Sequence, residues 1–522
     1  MDRRAFIKAS ALTSMAAIGP WVHTRQSWAA PGDWGALPAD NEYWPTGTAR
    51  PEYKILEIHL SGGLSAYETF YVNSALPVDE RWYGLQSEVA AINWSACTPS
   101  APPSSTHIEP FFGDIGLGPA TAPLWPFKND MRLVTLWHGL EPHEAAIPFS
   151  LTGLPLGNAK LSGLAAAIEH RYDRSLTLRT TPYSYILMPG NLGIDNDSFQ
   201  GFHATGIHGG QFRPVVLRFP EPGRNPDGTV NPGRDDSLLN ALNRSGITSS
   251  SNQLLRQFAA QYKDRLRHSA LPSVPARSSE FNAYNSALAT LVNAPDLRTV
   301  LDTALVETGG DISCVDPLSG GREDANLTRA QINTAARLLS LSEADGGARY
   351  VGMVDGGIRP TTGGGYDVHS IDEYPNMYTS LWNCLSSLAE VLYKPAPGDP
   401  IQPNKINLND TLVILNTEFG REPAIGLRGG RDHWPYGYVN VLIGGPVSQG
   451  IAGTIGNDGR AVSMDSYTPT DLRAALLMAA GIDPFNEANF GVGDVSQAIR
   501  SPGGGSEEGS AQQLRERILG VV

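Results

Sequence analysis

Cysteine, basic residues and long apolar runs are all scarce in this chain of 522 residues, and each scarcity removes a class of function. Only Cys97, Cys314 and Cys384 are present, without a Cys-x-x-Cys spacing, so neither a cysteine-built zinc knuckle nor a disulfide framework is available. Cys384 lies in the helical pattern "YTSLWNCLSSLAEVLY", where a small buried thiol is expected; that leaves Cys97 with Cys314 as the pairing to test. Lys and Arg number 39 against 53 Asp and Glu. Without residues 1–29, which hold Arg3, Arg4, Lys8, Arg25 and Asp2, the balance is 35 against 52, a formal −17. Phosphate backbones are bound by exchanging counterions for Lys and Arg, so no nucleic-acid partner is expected. The N-terminal stretch "ALTSMAAIGPWV" is too short to span a bilayer and is interrupted by Gly19-Pro20, so no integral membrane segment is expected either.

What that N-terminus does contain is an address. "MDRRAFIKAS" joins the paired Arg3 and Arg4 to Phe6 and Lys8 ahead of the weakly apolar stretch, the pattern of a twin-arginine export signal. Small residues at Ser27 and Ala29 place the mature start near Ala30. The expected location is therefore periplasmic or secreted. Twin-arginine cargo usually crosses folded, so a metal would be loaded in the cytoplasm.

Apolar runs ending in glycine recur along the mature chain: "ILEIHLSGG" (55–63), "MRLVTLWHG" (131–139), "RYVGMVDGG" (349–357), "DTLVILNTEFG" (410–420) and "YVNVLIGG" (438–445). They have strand length and are rich in Val, Ile and Leu, as in strands buried on both faces. Helical patterns alternate with them at 161–172, 329–344, 378–393 and 468–481; the last has Thr468 or Thr470 as N-cap and Gly481 past its end. This predicts an α/β fold with helices over a mostly parallel sheet, in which ligands gather beyond the carboxyl ends of the strands. Residues 30–500 read as one domain, with 195–280 a loop-rich and helical insertion acting as a cap. A flexible linker, "SPGGGSEEGS" (501–510), and a short C-terminal helix complete the chain to 522.

The chemistry-bearing residues cluster after the glycine-ended runs. "GGGYDVHS" places Asp367 and His369 two apart, on one face if the segment is extended. Glu418 and Arg421 follow "TLVILN", and Asp432-His433 follow a loop containing Gly426, Gly429 and Gly430. Carboxylates and imidazoles suit zinc, manganese or iron, and carboxylates also suit calcium. Any one of these pairs, taken alone, is more often a capping or hydrogen-bonding arrangement. Arg421 either clamps an oxyanion through its planar fork or forms a salt bridge to Glu418 or Asp432. His138 reads as a hydrogen-bonded histidine beneath a turn, and His203 and His208 as loop residues at the entrance. Tyr366, Trp434 and Tyr436 either wall the site or pack under the insertion.

These motifs, in this order and behind a twin-arginine signal, resemble the exported bacterial family called domain of unknown function 1501, related to the alkaline phosphatase and sulfatase superfamily. The family's Gly-Gly-x-Asp-Thr-His element falls on Gly364, Gly365, Asp367 and His369. Its Ser-Glu-Phe-Gly-Arg element falls on Thr417, Glu418, Phe419, Gly420 and Arg421, and its Gly-Gly-Thr-Asp-His element on Gly429, Gly430, Asp432 and His433. The resemblance implies an alkaline-phosphatase-like three-layer sandwich and one divalent ion (zinc, manganese, iron or calcium) held by Asp367, His369, Glu418, Asp432 and His433. Arg421 and His143 are the catalytic candidates, and a small phosphate or sulfate ester is the implied substrate. Two departures stand against this: Ser65 occupies a position where the family carries Asp, and Pro142 one where the superfamily's nucleophile is inferred by analogy. Loss of both removes the covalent two-metal route. The alternative is a non-catalytic secreted binding or assembly protein on a degenerate site, working beside an exported partner protein.

Overall fold

The computed structural model describes residues 51–73, 101–153, 185–188, 215–217, 323–342, 347–358, 365–462, 465–485 and 507–521, with Trp44, Leu164, Ala165, Ile168, Gln257 and Asp345 singly. The expected signal peptide, all but a few residues of the 195–280 insertion, Cys97, Cys314, His203, His208 and Gly364 lie outside the described residues.

All five glycine-ended runs form strands of one sheet. Numbering only that sheet, these are β1 (Lys54–Leu60), β2 (Met131–Leu136), β5 (Tyr350–Asp355), β6 (Thr411–Asn416) and β7 (Tyr438–Gly444). Short strands β3 (Tyr185–Met188), β4 (Val215–Val216) and β8 (Gly450–Ala452) extend the edges, giving the order β8-β2-β7-β6-β1-β5-β3-β4. Five of the seven neighbouring pairs are parallel, and β7 runs against both of its neighbours. The fold is thus α/β with a mostly parallel mixed sheet. Because β7 is reversed, the residues that enter it lie at the same edge as those that leave β1, β2, β5 and β6.

Side chains alternate along each strand, and here both faces are covered. Leu56, Ile58 and Leu60 of β1 face a core shared with helices α2 (Glu323–Ser340) and α3 (Tyr374–Val391), where Cys384 is fully buried as expected. Ile55, Leu412 and Ile414 face a second core with helix α4 (Pro469–Ala479). Thr468 is the N-cap of α4, accepting from the Asp471 N–H, while Asp471 accepts from Thr468 N at 2.8 Å in a reciprocal capping box. Thr470, the other capping candidate, instead donates its hydroxyl to Gly153 O. At the C-terminus, helix α5 (Glu507–Gln513) begins inside the stretch expected to be a linker, and its π-helical continuation runs through Leu514–Leu519. Burial of Ala511, Leu514, Ile518 and Leu519 in the α4 core, with Arg132 Nε donating to Arg517 O at 2.8 Å, explains why this tail is ordered.

On the α4 side, β1 also presents Glu57, which is 2% exposed. Arg473 of α4 meets it through two hydrogen bonds, Tyr350 donates to it at 2.5 Å and Asn416 at 2.7 Å. Burial drives the Glu57 carboxyl up, but Arg473 and these hydrogen bonds outweigh it and hold it below the usual range. Arg473 also donates to Ser150 O at 2.9 Å, tying α4 to the end of helix α1 (His143–Thr152). Arg473→Met, which strands a buried carboxylate, is expected to cost about 3–5 kcal/mol at neutral pH in denaturant unfolding, with part recovered by adding Glu57→Leu. The lowered pKa means that this pair stabilises above the usual Glu range and is lost as pH falls. The penalty of Arg473→Met should therefore shrink on acidification; a penalty independent of pH would show that charge is not its cause.

Candidate functional site

The loops leaving the strands are fastened to one another by backbone bonds. Arg431 N donates to Val368 O at 2.9 Å and Ile371 N to Arg428 O at 3.0 Å, which joins the Asp367–His369 segment to the loop carrying Asp432 and His433. Gly430 permits this approach, since a Cβ there would lie 2.1 Å from the carbonyl carbon of His369. Gly420–Arg421 pairs in antiparallel fashion with His433–Trp434, setting Arg421 opposite His433. Beyond β1, Gly62 has a φ of 125° and lies so close to the Asp367 backbone that a Cβ would sit 2.4 Å from its nitrogen. Spacing alone thus separates the three motifs by many residues, and backbone pairing brings them together.

Four of the predicted residues converge. Asp367 Oδ1 lies 2.9 Å from His369 Nε2 and 3.5 Å from His433 Nε2; Asp367 Oδ2 lies 3.7 Å from His143 Nε2. His369 Nε2 and His433 Nε2 are 3.1 Å apart. Asp432 is on the outer edge, 73% exposed, with Oδ1 3.5 Å from His369 Nδ1. His143, Asp367 and His433 form one group with ligand atoms within 4.8 Å, and His369, Asp432 and His433 another.

Glu418 and Arg421 stand behind this cluster. Glu418 is fully buried, its Oε1 accepting from Gly62 N and from His143 Nδ1, each at 2.8 Å, while its Oε2 lies 3.4 Å from His59 Nε2. It therefore orients His143 and is not among the grouped ligand atoms. The Arg421 guanidinium, also fully buried, donates to the carbonyls of Gly62, Gly63 and Arg431 and to Asp367. Its salt-bridge partner is thus Asp367, in place of the Glu418 or Asp432 expected, and four acceptors already engage the fork proposed for an anion.

Hydrogen bonds also fix the rings. His143 gives its Nδ1 proton to Glu418, and His433 gives its Nδ1 proton to Glu141 O at 3.0 Å, which leaves the Nε2 atom of each facing Asp367. His138 donates from Nε2 to Glu418 O at 2.7 Å and accepts Leu140 N at its Nδ1; burial pushes it down to about 4, so it is a neutral strut beneath the turn. Burial pulls His143 down too, yet the Asp367 and Glu418 carboxylates outweigh it and raise it to about 9. Asp367 is held well below the usual carboxylate range, because the neighbouring His143 and His433 imidazoles and the charge of Arg421 outweigh the cost of burial. Glu418 is likewise depressed, as His143 and His59 outweigh its desolvation.

The two departures from the family pattern also have physical accounts. Ser65 is buried, with its hydroxyl given to Glu68, and Glu68 is paired with Arg431 at 2.6–2.7 Å. Glu68 is thereby neutralised away from the histidines. Pro142 is the N-cap of α1 and supplies no side-chain acceptor. Tyr366 is no wall of the site, being fully buried with its hydroxyl on Asp355 at 2.7 Å; Trp434 and Tyr436 are half-buried, with Arg460 stacked over both rings. Glu68 is the acid nearest Ser65 in the sequence, whereas no sequence motif points to His59, Arg431 or Glu141. A signal for His59 exists in "ILEIHL", where Glu57 and His59 alternate on a strand buried on both faces and must find polar partners.

Residues 404–501 match the family model described as "Protein of unknown function (DUF1501)". The matched stretch includes the Glu418–Arg421 and Asp432–His433 segments and ends before neither of them; Asp367 and His369 precede it. No curated protein matches the chain.

The raised His143 pKa gives a test on the metal-free protein. Its contribution to stability is complete below its ordinary value of 6.5 and is lost as pH rises toward about 9. Tm of the metal-free protein should fall over that window, and His143→Gln should flatten the fall; an unchanged pH profile in the variant would contradict the assigned ion pairs.

Proposed function

We propose that this chain is an exported, metal-dependent hydrolase-like protein with an alkaline-phosphatase-like fold, acting on a small phosphate or sulfate ester through one divalent ion. Export rests on the Arg3-Arg4, Phe6 and Lys8 pattern of the N-terminus. The observation that carries the metal reading is the Glu418–His143 pair: a buried carboxylate accepts a hydrogen bond from Nδ1 and leaves Nε2 directed at Asp367, as carboxylates do behind metal-binding histidines.

The donor set fits such an ion. His143, Asp367 and His433, whose ligand atoms lie within 4.8 Å of one another, would hold it, with His369 beside them at 2.9 Å from Asp367 Oδ1 and 3.1 Å from His433 Nε2. Three imidazoles favour zinc, manganese or iron over calcium, which prefers oxygen. When bound, the ion supplies Lewis acidity to the ester and makes water more acidic near neutral pH. Asp367, kept ionised by the His143 and His433 imidazoles and Arg421, anchors the set, and Glu418 fixes the His143 ring with its Nε2 toward Asp367. Ser65 is committed to Glu68 and Pro142 has no hydroxyl, so attack by water is proposed in place of a covalent enzyme intermediate. The same commitment of Ser65 is what favours the second reading, a secreted binding or assembly protein that works with an exported partner.

Elemental analysis of protein purified from its native compartment is expected to find about one equivalent of transition metal. Asp367→Ala and His433→Ala should lose it together with hydrolysis of aryl phosphate or sulfate esters. Absence of metal from the wild type would overturn the hydrolase reading. Bound metal without turnover of any ester would favour the binding protein.

A further inference from the structure

We infer that His59 is a positioning residue of the candidate metal site, acting through Glu418 on His143. The inference rests on the metal reading above for its consequence, and on geometry for its substance. β1 alternates Ile55, Glu57 and His59 toward the α4 side, and His59 is the last of these before the chain turns at Gly62. The imidazole is 1% exposed, in the middle of the sheet, opposite Asn416 of β6 and Val354 of β5.

From there its Nε2 reaches to 3.4 Å from Glu418 Oε2. The other oxygen, Oε1, carries the hydrogen bonds from Gly62 N and His143 Nδ1. A carboxylate is planar, so fixing one oxygen fixes the other. Oε2 also receives the Thr417 hydroxyl, but at 3.3 Å from the adjacent residue, and that hydroxyl lies 3.2 Å from Leu60 O as well. His59 is thus the contact to Oε2 that comes from a different strand, and it prevents the Glu418 side chain from rotating away from His143. The run His59, Glu418, His143, Asp367 links the central strand to the ligand cluster through side chains alone. A histidine fully buried on a strand carries a desolvation cost, and a mere packing role would be filled better by an apolar side chain, as at Ile55 and Ile58 of the same strand.

The test compares His59→Leu with His59→Gln in the full mature protein, using cobalt(II) as probe. Gln can donate from its amide to Glu418 and Leu cannot. Loss of a group bonded directly to a metal-binding histidine typically weakens metal binding about 10- to 100-fold, and His59 acts one residue further back through Glu418, so His59→Leu should raise the cobalt dissociation constant by the lower figure, roughly 10-fold, and alter the intensity of the d–d bands. His59→Gln should restore both to near the wild-type values. Cobalt binding and spectrum unchanged in His59→Leu would overturn the inference, as would equal losses in both variants, which would mark a packing role. If wild type binds no cobalt, the metal reading has failed, and the inference is then decided on the metal-free protein by the His143 Nδ1 proton in NMR. Protection of that proton from exchange in wild type and its loss in His59→Leu would sustain the positioning role; equal protection in both would overturn it.

Discussion

A carboxylate sealed from water must have all its demands met by the protein, and Glu418 is the residue on which this site depends. Its side chain gathers Gly62 N, His143 and His59, and its own carbonyl receives His138. One residue at the end of β6 thereby fixes the turn after β1, the start of α1 and the loop after β2. Removal of the charge would take the acceptor from Gly62 N and His143 Nδ1 on two separate segments, in surroundings where each unpaired group costs about 1–3 kcal/mol. The turn at Gly62 is the counterpart of this constraint. Its positive φ aims the N–H at Glu418 and its carbonyl at Arg421, and its missing side chain makes room for Asp367.

Beneath the site a second polar layer repeats the theme. Glu57, Arg473, Asn416 and Asn440 form a buried chain in which Asn440 donates to Asn416 at 2.7 Å and accepts from Thr417 N at 3.2 Å, one residue before Glu418. Arg473 and Thr470 both hold the end of α1 through Ser150 and Gly153, so α4, which touches none of the candidate ligands, sets the axis along which His143 is presented. Partly satisfied buried networks are costly, and this one is satisfied across β1, β5, β6, β7 and α4. Site geometry and fold stability therefore share the same hydrogen bonds.

Much of the fold is legible in the sequence because burial on both faces leaves a simple mark: five apolar runs, each ended by glycine, are five strands of the sheet. The capping box of α4 and Gly481 beyond it are likewise local chemistry that needs no tertiary information. The reversed direction of β7 carries no such mark, since apolar content is blind to direction. At the site, residue type and motif order pick out Asp367, His369, Asp432 and His433, but the role of a carboxylate depends on where its oxygens point. Glu418 and Asp367 are both acids after glycine-rich or strand-end segments, and only the three-dimensional arrangement shows one turned to His143 and His59 and the other toward three histidines. Arg421 was open between clamp and salt bridge for the same reason, because a guanidinium's partners come from segments distant in sequence.

The placement of charge also limits what the cleft can accept and in what order. Arg421 and Arg431, the guanidiniums flanking the ligand motifs, both turn inward, one to Asp367 and three carbonyls, the other to Glu68. Around His433 the outward groups are carboxylates: Glu141, Asp432 and Glu422, whose carboxyl is raised first by its own burial and then by the other two. Two like charges within a few ångströms repel by about 1 kcal/mol even at the dielectric of water, and by several at the lower effective values near a protein surface. An ester anion approaching the metal-free cluster meets Asp367 and this rim with no inward guanidinium to spare. A divalent ion reverses that balance at the point where Asp367 and the histidines converge, so on the proposed reading ion binding precedes anion binding. That order also gives the inward-facing Arg421 its part: by helping to keep Asp367 ionised and fixed, it holds the cluster in shape before any ion arrives.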